Sequence, residues 1–215
     1  MTQTADMVRK LVPRIAALPY RAAGRRFVAV AGPPACGKST LSAALVAGLR
    51  EAGLGAGLVA MDGFHLDNAI LDARGLRGRK GAPETFDLNG FAALLARLNS
   101  PQEVIAPTFD RARDLSVGAS TIISADVTHV VVEGNYLLLD RPGWRDLSRL
   151  WDVSVSLAAP FDVLKERLVQ RWLDHGLSAR DALAKASEND LPNAKLVCDH
   201  SLPADIVISS TASQA

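Results

Sequence analysis

The sequence predicts an α/β fold built on a doubly wound parallel sheet, and three observations carry that prediction. Short apolar runs of strand character alternate with segments whose apolar residues recur at helical spacing. The run Val127-Thr128-His129-Val130-Val131-Val132 is rich in β-branched residues, as suits a parallel strand covered on both faces. Between a strand-like run and a helix-like one, residues 32–40 read Gly-Pro-Pro-Ala-Cys-Gly-Lys-Ser-Thr, which is the G-x-x-x-x-G-K-[ST] phosphate-binding pattern.

The elements follow in order. Met7, Val8, Leu11, Val12, Ile15 and Leu18 make one stripe, so residues 6–18 predict a helix beside the sheet, ended by Pro19. Phe27–Ala31 is the first strand, and a helix runs from Lys38 to about Ala52. Gly53, Gly55 and Gly57 turn the chain into a second strand, Leu58–Met61, which ends at Asp62-Gly63-Phe64-His65. Residues 66–87 hold Arg74, Arg77, Arg79 and Lys80 among Gly75, Gly78 and Gly81, a basic loop too long for a plain connector. Asp87 or Asn89 caps a helix carrying Phe91, Leu94, Leu95 and Leu98. Val104–Phe109 is strand-like, and Thr121–Ile123 is a short strand pairing locally. The strand Val127–Val132 ends in Glu133-Gly134-Asn135, and Trp151–Leu157 is another. Pro160 opens a helix to about His175, where Gly176 stops it, and a second helix covers about 179–189. Ile206–Ile208 is a last short strand, and Ser209–Ala215 is a polar tail expected to fray. With neither repeat nor linker, residues 1–215 read as one domain: a three-layer P-loop NTPase sandwich, with 66–87 as an acceptor loop and about 160–190 as a helical lid.

Composition narrows the function. The 215 residues are 48% hydrophobic, which argues against disorder, and the net charge of +1 offers no field to gather nucleic acid. Cys36 and Cys198 give no disulfide framework and fit a reducing cytosol. There is no apolar run of signal-peptide length and no stretch long enough to span a membrane. The expectation is a cytoplasmic protein acting on a small molecule, without nucleic-acid or membrane partners, and compatible with a homodimer.

The strand, glycine-rich turn and helix N-terminus aim backbone N–H groups at one point, where the triphosphate of ATP fits. Gly32, Pro33, Pro34, Ala35, Cys36, Gly37, Lys38, Ser39 and Thr40 are the nucleotide-binding residues; Lys38 reaches the β/γ oxygens and the Ser39 hydroxyl ligates Mg²⁺. Asp62 ends the second strand, and strand C-termini converge on the ligand crevice, so it is the candidate base for an attacking hydroxyl. Glu133 ends its own apolar strand and either holds Mg²⁺ or contacts the acceptor. His65, three residues beyond Asp62, is either an acceptor contact or a turn histidine. Arg79 and Lys80 can close over an acceptor as a flap or belong to a solvated loop. Arg167 and Arg171 lie four apart on one helix face, where they can fold over the β/γ-phosphates, Arg171 as the candidate catalytic arginine. His129 reads as a core residue, and His175 as a cation at a helix C-terminus.

These residues together resemble the phosphoribulokinase/uridine kinase family of small-molecule kinases, across about residues 26–208. Asp62-Gly63-Phe64-His65 is similar to the family's Asp-[Gly/Ser]-Phe segment, which implies that Asp62 is the catalytic base. Val130-Val131-Val132-Glu133-Gly134 matches its strand-Glu-Gly element. Arg79-Lys80-Gly81-Ala82-Pro83-Glu84-Thr85-Phe86-Asp87 is similar to a loop of the bacterial pantothenate kinases, which implies acceptor contacts from Arg79, Lys80 and Glu84. Pro107…Phe109-Asp110-Arg111 and Asn189-Asp190-Leu191-Pro192-Asn193-Ala194 resemble segments of the bacterial fructose (sugar) transport system kinases. The resemblance implies ATP-dependent phosphorylation of a hydroxyl, most simply on a sugar such as fructose, with pantothenate or a nucleoside as the alternative acceptor. The acceptor loop lacks the aromatic and histidine pattern of uridine kinases, and the arginine spacing of the lid is not that of the nucleoside kinases. A reading of another class is a nucleotide switch without an acceptor, since Asp87-Leu88-Asn89-Gly90 matches D-x-x-G; the chain has no N-K-x-D.

Overall fold

The computed structural model describes residues 3–19 and 24–209. Five strands form one parallel sheet: β1 (Arg26–Ala31), β2 (Ala56–Ala60), β5 (His129–Gly134), β6 (Val153–Ala158) and β7 (Ile206–Ser209), in the order β2-β5-β1-β6-β7. The helices are α1 (Gln3–Ala16), α2 (Lys38–Glu51), α3 (Asn68–Ala73), α4 (Leu88–Leu98), α5 (Phe161–Asp174), α6 (Ala179–Lys185) and α7 (Leu191–Asp199). Successive strand residues point to opposite faces, and β1 shows the consequence. Phe27, Ala29 and Ala31 join Phe91, Leu94, Leu95 and Leu98 of α4 in one core. Val28 and Val30 join Leu41, Leu45 and Leu49 of α2, with α1 and α5, in the other. A sheet buried on both faces needs apolar residues at both parities, hence the unbroken run in β5. Each Leu or Val so buried stabilises the fold by roughly 1.5–3 kcal/mol.

Several expected elements are modified. The first helix spans Gln3–Ala16 rather than 6–18, with Pro13 inside it. The second strand ends at Ala60, and Met61–Phe64 is a turn of 3₁₀ helix. Thr121–Ile123 is the end of a longer strand, β4 (Leu115–Ile123), which pairs antiparallel with β3 (Val104–Asp110) in a separate hairpin. The helix expected over 179–189 continues to Asp199 through a π turn at Ala186–Asp190. Pro192 has no N–H for an i→i−4 bond, and Leu191 N–H instead reaches Ala186 O, five residues back. Ser209 belongs to β7, and the rest of the polar tail lies outside the described residues.

Residues 66–87 are an ordered excursion rather than a bare loop. They contain α3, capped by Asp67, and 3₁₀ turns at Arg77–Arg79 and Pro83–Thr85. Backbone bonds Leu66 N to Thr85 O (2.9 Å) and Asp87 N to Phe64 O (2.8 Å) pin its two ends together. Asp87 is the N-cap of α4, its Oδ1 accepting from Gly90 N at 2.9 Å, so the D-x-x-G match is a helix start.

Arg25, 1% exposed, joins the loop before β5 to the end of α4. Its guanidinium donates to Val127 O (2.9 Å), Gln102 O (2.7 Å), Ser124 O (2.8 Å) and Leu98 O (3.3 Å). Substitution by Met orphans these buried carbonyls. Arg25→Met is expected to lower unfolding free energy by about 3 kcal/mol, measured by urea denaturation. A loss below about 1 kcal/mol would mean that water replaces the guanidinium.

Candidate active site

The site is built from the C-terminal ends of β1, β2 and β5. Register sets it: Val30 of β1 and Ala60 of β2 both lie opposite Glu133 of β5. Glu133 therefore stands between the loop after β1 and the turn after β2. Gly37 (φ 96°) occupies the left-handed region at the N-terminus of α2, where an added Cβ would meet nothing within 4 Å. Gly63 is required for another reason: its Cβ would lie 2.6 Å from Pro107 O, so the turn carrying Asp62 packs directly on β3.

One cleft of about 860 Å³ is lined by Pro34, Ala35, Gly37, Lys38, Ser39 and Thr40 together with Asp62, His65, Lys80, Glu133 and Arg171. That volume is enough for a nucleotide and a small second ligand. Lys38 is 6% exposed and donates to Pro33 O at 2.8 Å. Gly32, Pro33 and Cys36 shape the loop from behind rather than lining the cleft, and Cys36 is buried.

Glu133 is 8% exposed. Burial pushes its carboxyl above the usual range and the Asp62 charge adds to this, while Lys38 and a hydrogen bond from Ser39 work in the opposite direction. Asp62, its side chain 21% exposed, is open to the cleft and bonds through Oδ2 to Arg111 Nη2 at 2.7 Å. His65 is stacked between Phe86 and Phe109, ring centroids 4.1 and 4.5 Å away, with Nδ1 donating to Asp62 O at 2.8 Å. Burial lowers its pKa, against the attraction of Asp62, so the neutral imidazole is favoured and Nε2 is left as an acceptor.

The basic segment departs from the flap that its glycines suggest. Lys80, its side chain only 12% exposed, is fixed: Nζ donates to Asn68 Oδ1 (2.7 Å), Asp114 O (2.6 Å) and Asp114 Oδ2 (2.9 Å). Burial would raise the Asp114 carboxyl, but the Lys80 and Asn68 hydrogen bonds hold it below the ordinary range. Arg79 does not line the cleft; it pairs with Glu84 at 3.5 Å, and Glu84 does not line the cleft either. Arg77 lines it instead. Of the two arginines on α5, Arg171 lines the cleft, whereas Arg167 donates to Ala35 O at 3.3 Å and buttresses the phosphate loop.

Sequence reasoning missed several lining residues. Arg111 and Asp114 come from the turn of the β3–β4 hairpin, and Trp172, His175, Lys185, Asn189 and Asn193 from the lid and the helix beyond it. Arg111, Asn189 and Asn193 were visible only as parts of the two segments that resemble the sugar kinases; the π turn aims the Asn189 Nδ2 at Lys80 O, 2.7 Å away. His175, expected to be a helix-end cation alone, lines the cleft beside Trp172. His129 is buried in β5 as expected, with Nε2 unpartnered among the described residues.

Residues 27–214 match the phosphoribulokinase/uridine kinase family. The chain belongs to that family. It is 37% identical over 191 residues to the uncharacterised protein YggC of Escherichia coli, covering 87% of this chain and 78% of that one. A candidate uridine kinase of Schizosaccharomyces pombe is 34% identical over 198 residues, covering 86% and 83%. In structure it is similar to a candidate fructose transport system kinase from Silicibacter sp. TM1040, with a TM-score of 0.90, 48% identity and coverage of 97% and 100%. The chain is thus a P-loop kinase, and its cofactors are those of ATP-dependent kinases, ATP with Mg²⁺. The residues fit the group: the loop opens onto the cleft at Gly37, and Ser39 and Glu133 offer hard oxygen ligands beside it. Among the described residues no helix is long and apolar enough to cross a membrane.

Because the folded state raises the Glu133 pKa, its ionisation opposes folding. That contribution to stability is fully present below the model-peptide value of 4.5 and is lost as pH rises through the folded value. Glu133→Gln is therefore expected to raise the melting temperature of the nucleotide-free protein at pH 7 relative to wild type, with the difference shrinking towards pH 4.5. Melts across that range check it; a variant less stable than wild type at pH 7 would show that the Lys38 and Ser39 contacts outweigh burial.

Proposed function

We propose that this kinase transfers a phosphoryl group from ATP to a hydroxyl of a small metabolite, a sugar such as fructose, in the cytoplasm. The observation that carries the reading is the one cleft that Asp62 shares with Lys38, Ser39 and Glu133. Bound MgATP supplies the phosphoryl group and part of the charge neutralisation. Lys38 and the N–H groups at the start of α2 would hold the phosphates, and Ser39 and Glu133 would ligate the metal. Arg171 approaches from the lid and offsets charge on the transferring group. Asp62 receives the proton of the acceptor hydroxyl as that oxygen bonds phosphorus and the ADP oxygen leaves. His65 accepts a hydrogen bond from a second acceptor hydroxyl through Nε2. The sugar is favoured by the likeness to the Silicibacter protein, whose description names fructose.

The test is ADP release from MgATP over a panel of sugars, polyols, nucleosides and pantothenate, with the largest stimulation expected from a sugar. Stimulation by none of them, together with nucleotide-dependent binding of another protein, would turn the reading into a switch. Lys38→Ala should reduce acceptor phosphorylation at least about 10²-fold in a folded protein. Asp62→Asn should cut kcat by about 10²-fold or more while the ATP affinity, followed by nucleotide titration, changes little. If ATP binding fails instead, Asp62 serves the metal rather than the acceptor.

A further inference from the structure

Within the phosphoryl-transfer reading, on which this rests, we propose that Asp190 is the positioning residue for Arg171, acting through the indole of Trp172. Arg171 and Trp172 are neighbours on α5, and both line the cleft, as does Asp190. Two side chains of α5 tie the helix down on either side of Arg171 in the chain. Arg167 donates to Ala35 O of the phosphate loop at 3.3 Å. Trp172 Nε1 donates to Asp190 Oδ2 at 2.5 Å, in the π turn. Among the described residues the Arg171 guanidinium has no hydrogen-bond acceptor. What holds it is the indole, whose ring centroid lies 5.4 Å from Cζ.

An indole offers its π face to a cation, and that face becomes more negative when the N–H donates to an anion. Lys185 leans on the same ring, with Nζ 5.7 Å from its centroid. Without Asp190 the ring is free to turn about its two side-chain torsions, and the arginine beside it loses its support. A guanidinium that has to be ordered during the transfer returns part of its gain as lost rotamer freedom, so one already in place stabilises the transferring group more. Asp190 also relates that arginine to the other side of the cleft. Its neighbour in the π turn, Asn189, is 5% exposed and donates to Lys80 O at 2.7 Å. Consecutive residues thus grip the 66–87 excursion and the α5 indole. The widened turn ahead of Pro192 is the kind of helix irregularity that gathers at functional sites. It sets Arg171 in register with the segment carrying Lys80, which lines the same cleft.

The experiment follows ADP release from MgATP, with fructose as the acceptor and with water alone, since the arginine serves either transfer. Arg171→Met should lower kcat by about 10²-fold. Asp190→Ala should lower it about tenfold with the KM values for ATP and fructose nearly unchanged. Trp172→Phe, which keeps a ring and loses the N–H, should do the same. Asp190→Asn keeps an oxygen for the indole and should recover part of the loss. The deciding measurement is a double-mutant cycle: in the Arg171→Met background, adding Asp190→Ala should cost less than about twofold. An undiminished loss in that background would make Asp190 a part of the fold alone and overturn the inference. So would an unchanged kcat in Asp190→Ala, or a loss confined to the fructose KM, which would put Asp190 on the acceptor. Where Asp190→Ala does not fold, Trp172→Phe carries the same cycle. Full activity in folded Arg171→Met would overturn the arginine's part in the kinase reading, and this inference with it. ADP release under neither condition would overturn the kinase reading and the inference together.

Discussion

The parallel register of three strands is the constraint on which the rest depends. β5 lies between β2 and β1, and Glu133 faces Ala60 on one side and Val30 on the other. Three parts of the cleft wall stand at or just beyond that row: the phosphate loop after β1, the Asp62 turn after β2, and Glu133 itself. A slip of one residue in β5 would turn Glu133 to the opposite face and put a buried carboxylate in an apolar layer. The two cores that clamp the sheet, α4 and its neighbours on one side and α1, α2 and α5 on the other, protect that register. The geometry of that row is thus held by apolar packing on both faces of the sheet.

Around this fixed row the cleft is completed by polar contacts from four separate parts of the chain. Lys80 joins the 66–87 excursion to the hairpin tip at Asp114, Asn189 from the π turn donates to Lys80 O, and Tyr136 donates to Gly81 O at 2.6 Å. Burial pushes the Tyr136 hydroxyl far above its ordinary pKa, so it stays a neutral donor. The excursion is thus tied both to the hairpin tip and to the π turn. Functional groups here also carry a cost to the fold. Glu133 is kept in a buried position where its charge is disfavoured, so a neutral side chain there would suit the fold better.

Local physics made much of this legible in the sequence. The phosphate loop is a run of nine consecutive residues whose glycines shape the backbone and whose lysine and hydroxyls follow directly in the chain, so it can be read in one dimension. The ends of β2 and β5 are likewise marked by a sharp change from apolar to acidic. Helices α2, α4 and α5 follow from periodicity, cap and stop signals, and Asp87 proved to be the cap of α4. Arg79, Glu84 and Arg167 were drawn to the site by sequence neighbourhood. They do not line the cleft: Arg79 pairs with Glu84, while Arg77 two residues earlier lines it, and Arg167, one helical turn before Arg171, is spent on Ala35 O.

By itself, then, the sequence determined the nucleotide half of the protein: the layered sheet, the phosphate loop and the acids at the strand ends. These are contiguous motifs whose chemistry and conformation are set within a few residues. The tertiary structure alone decided the polar contacts around Asp62 and Lys80. Arg111 meets Asp62 across 49 positions of chain, Lys80 meets Asp114 across 34, and Asn189 meets Lys80 across 109. Such pairings carry no local periodicity or turn signal; they exist because hairpin, excursion and π turn are brought to the same end of one sheet.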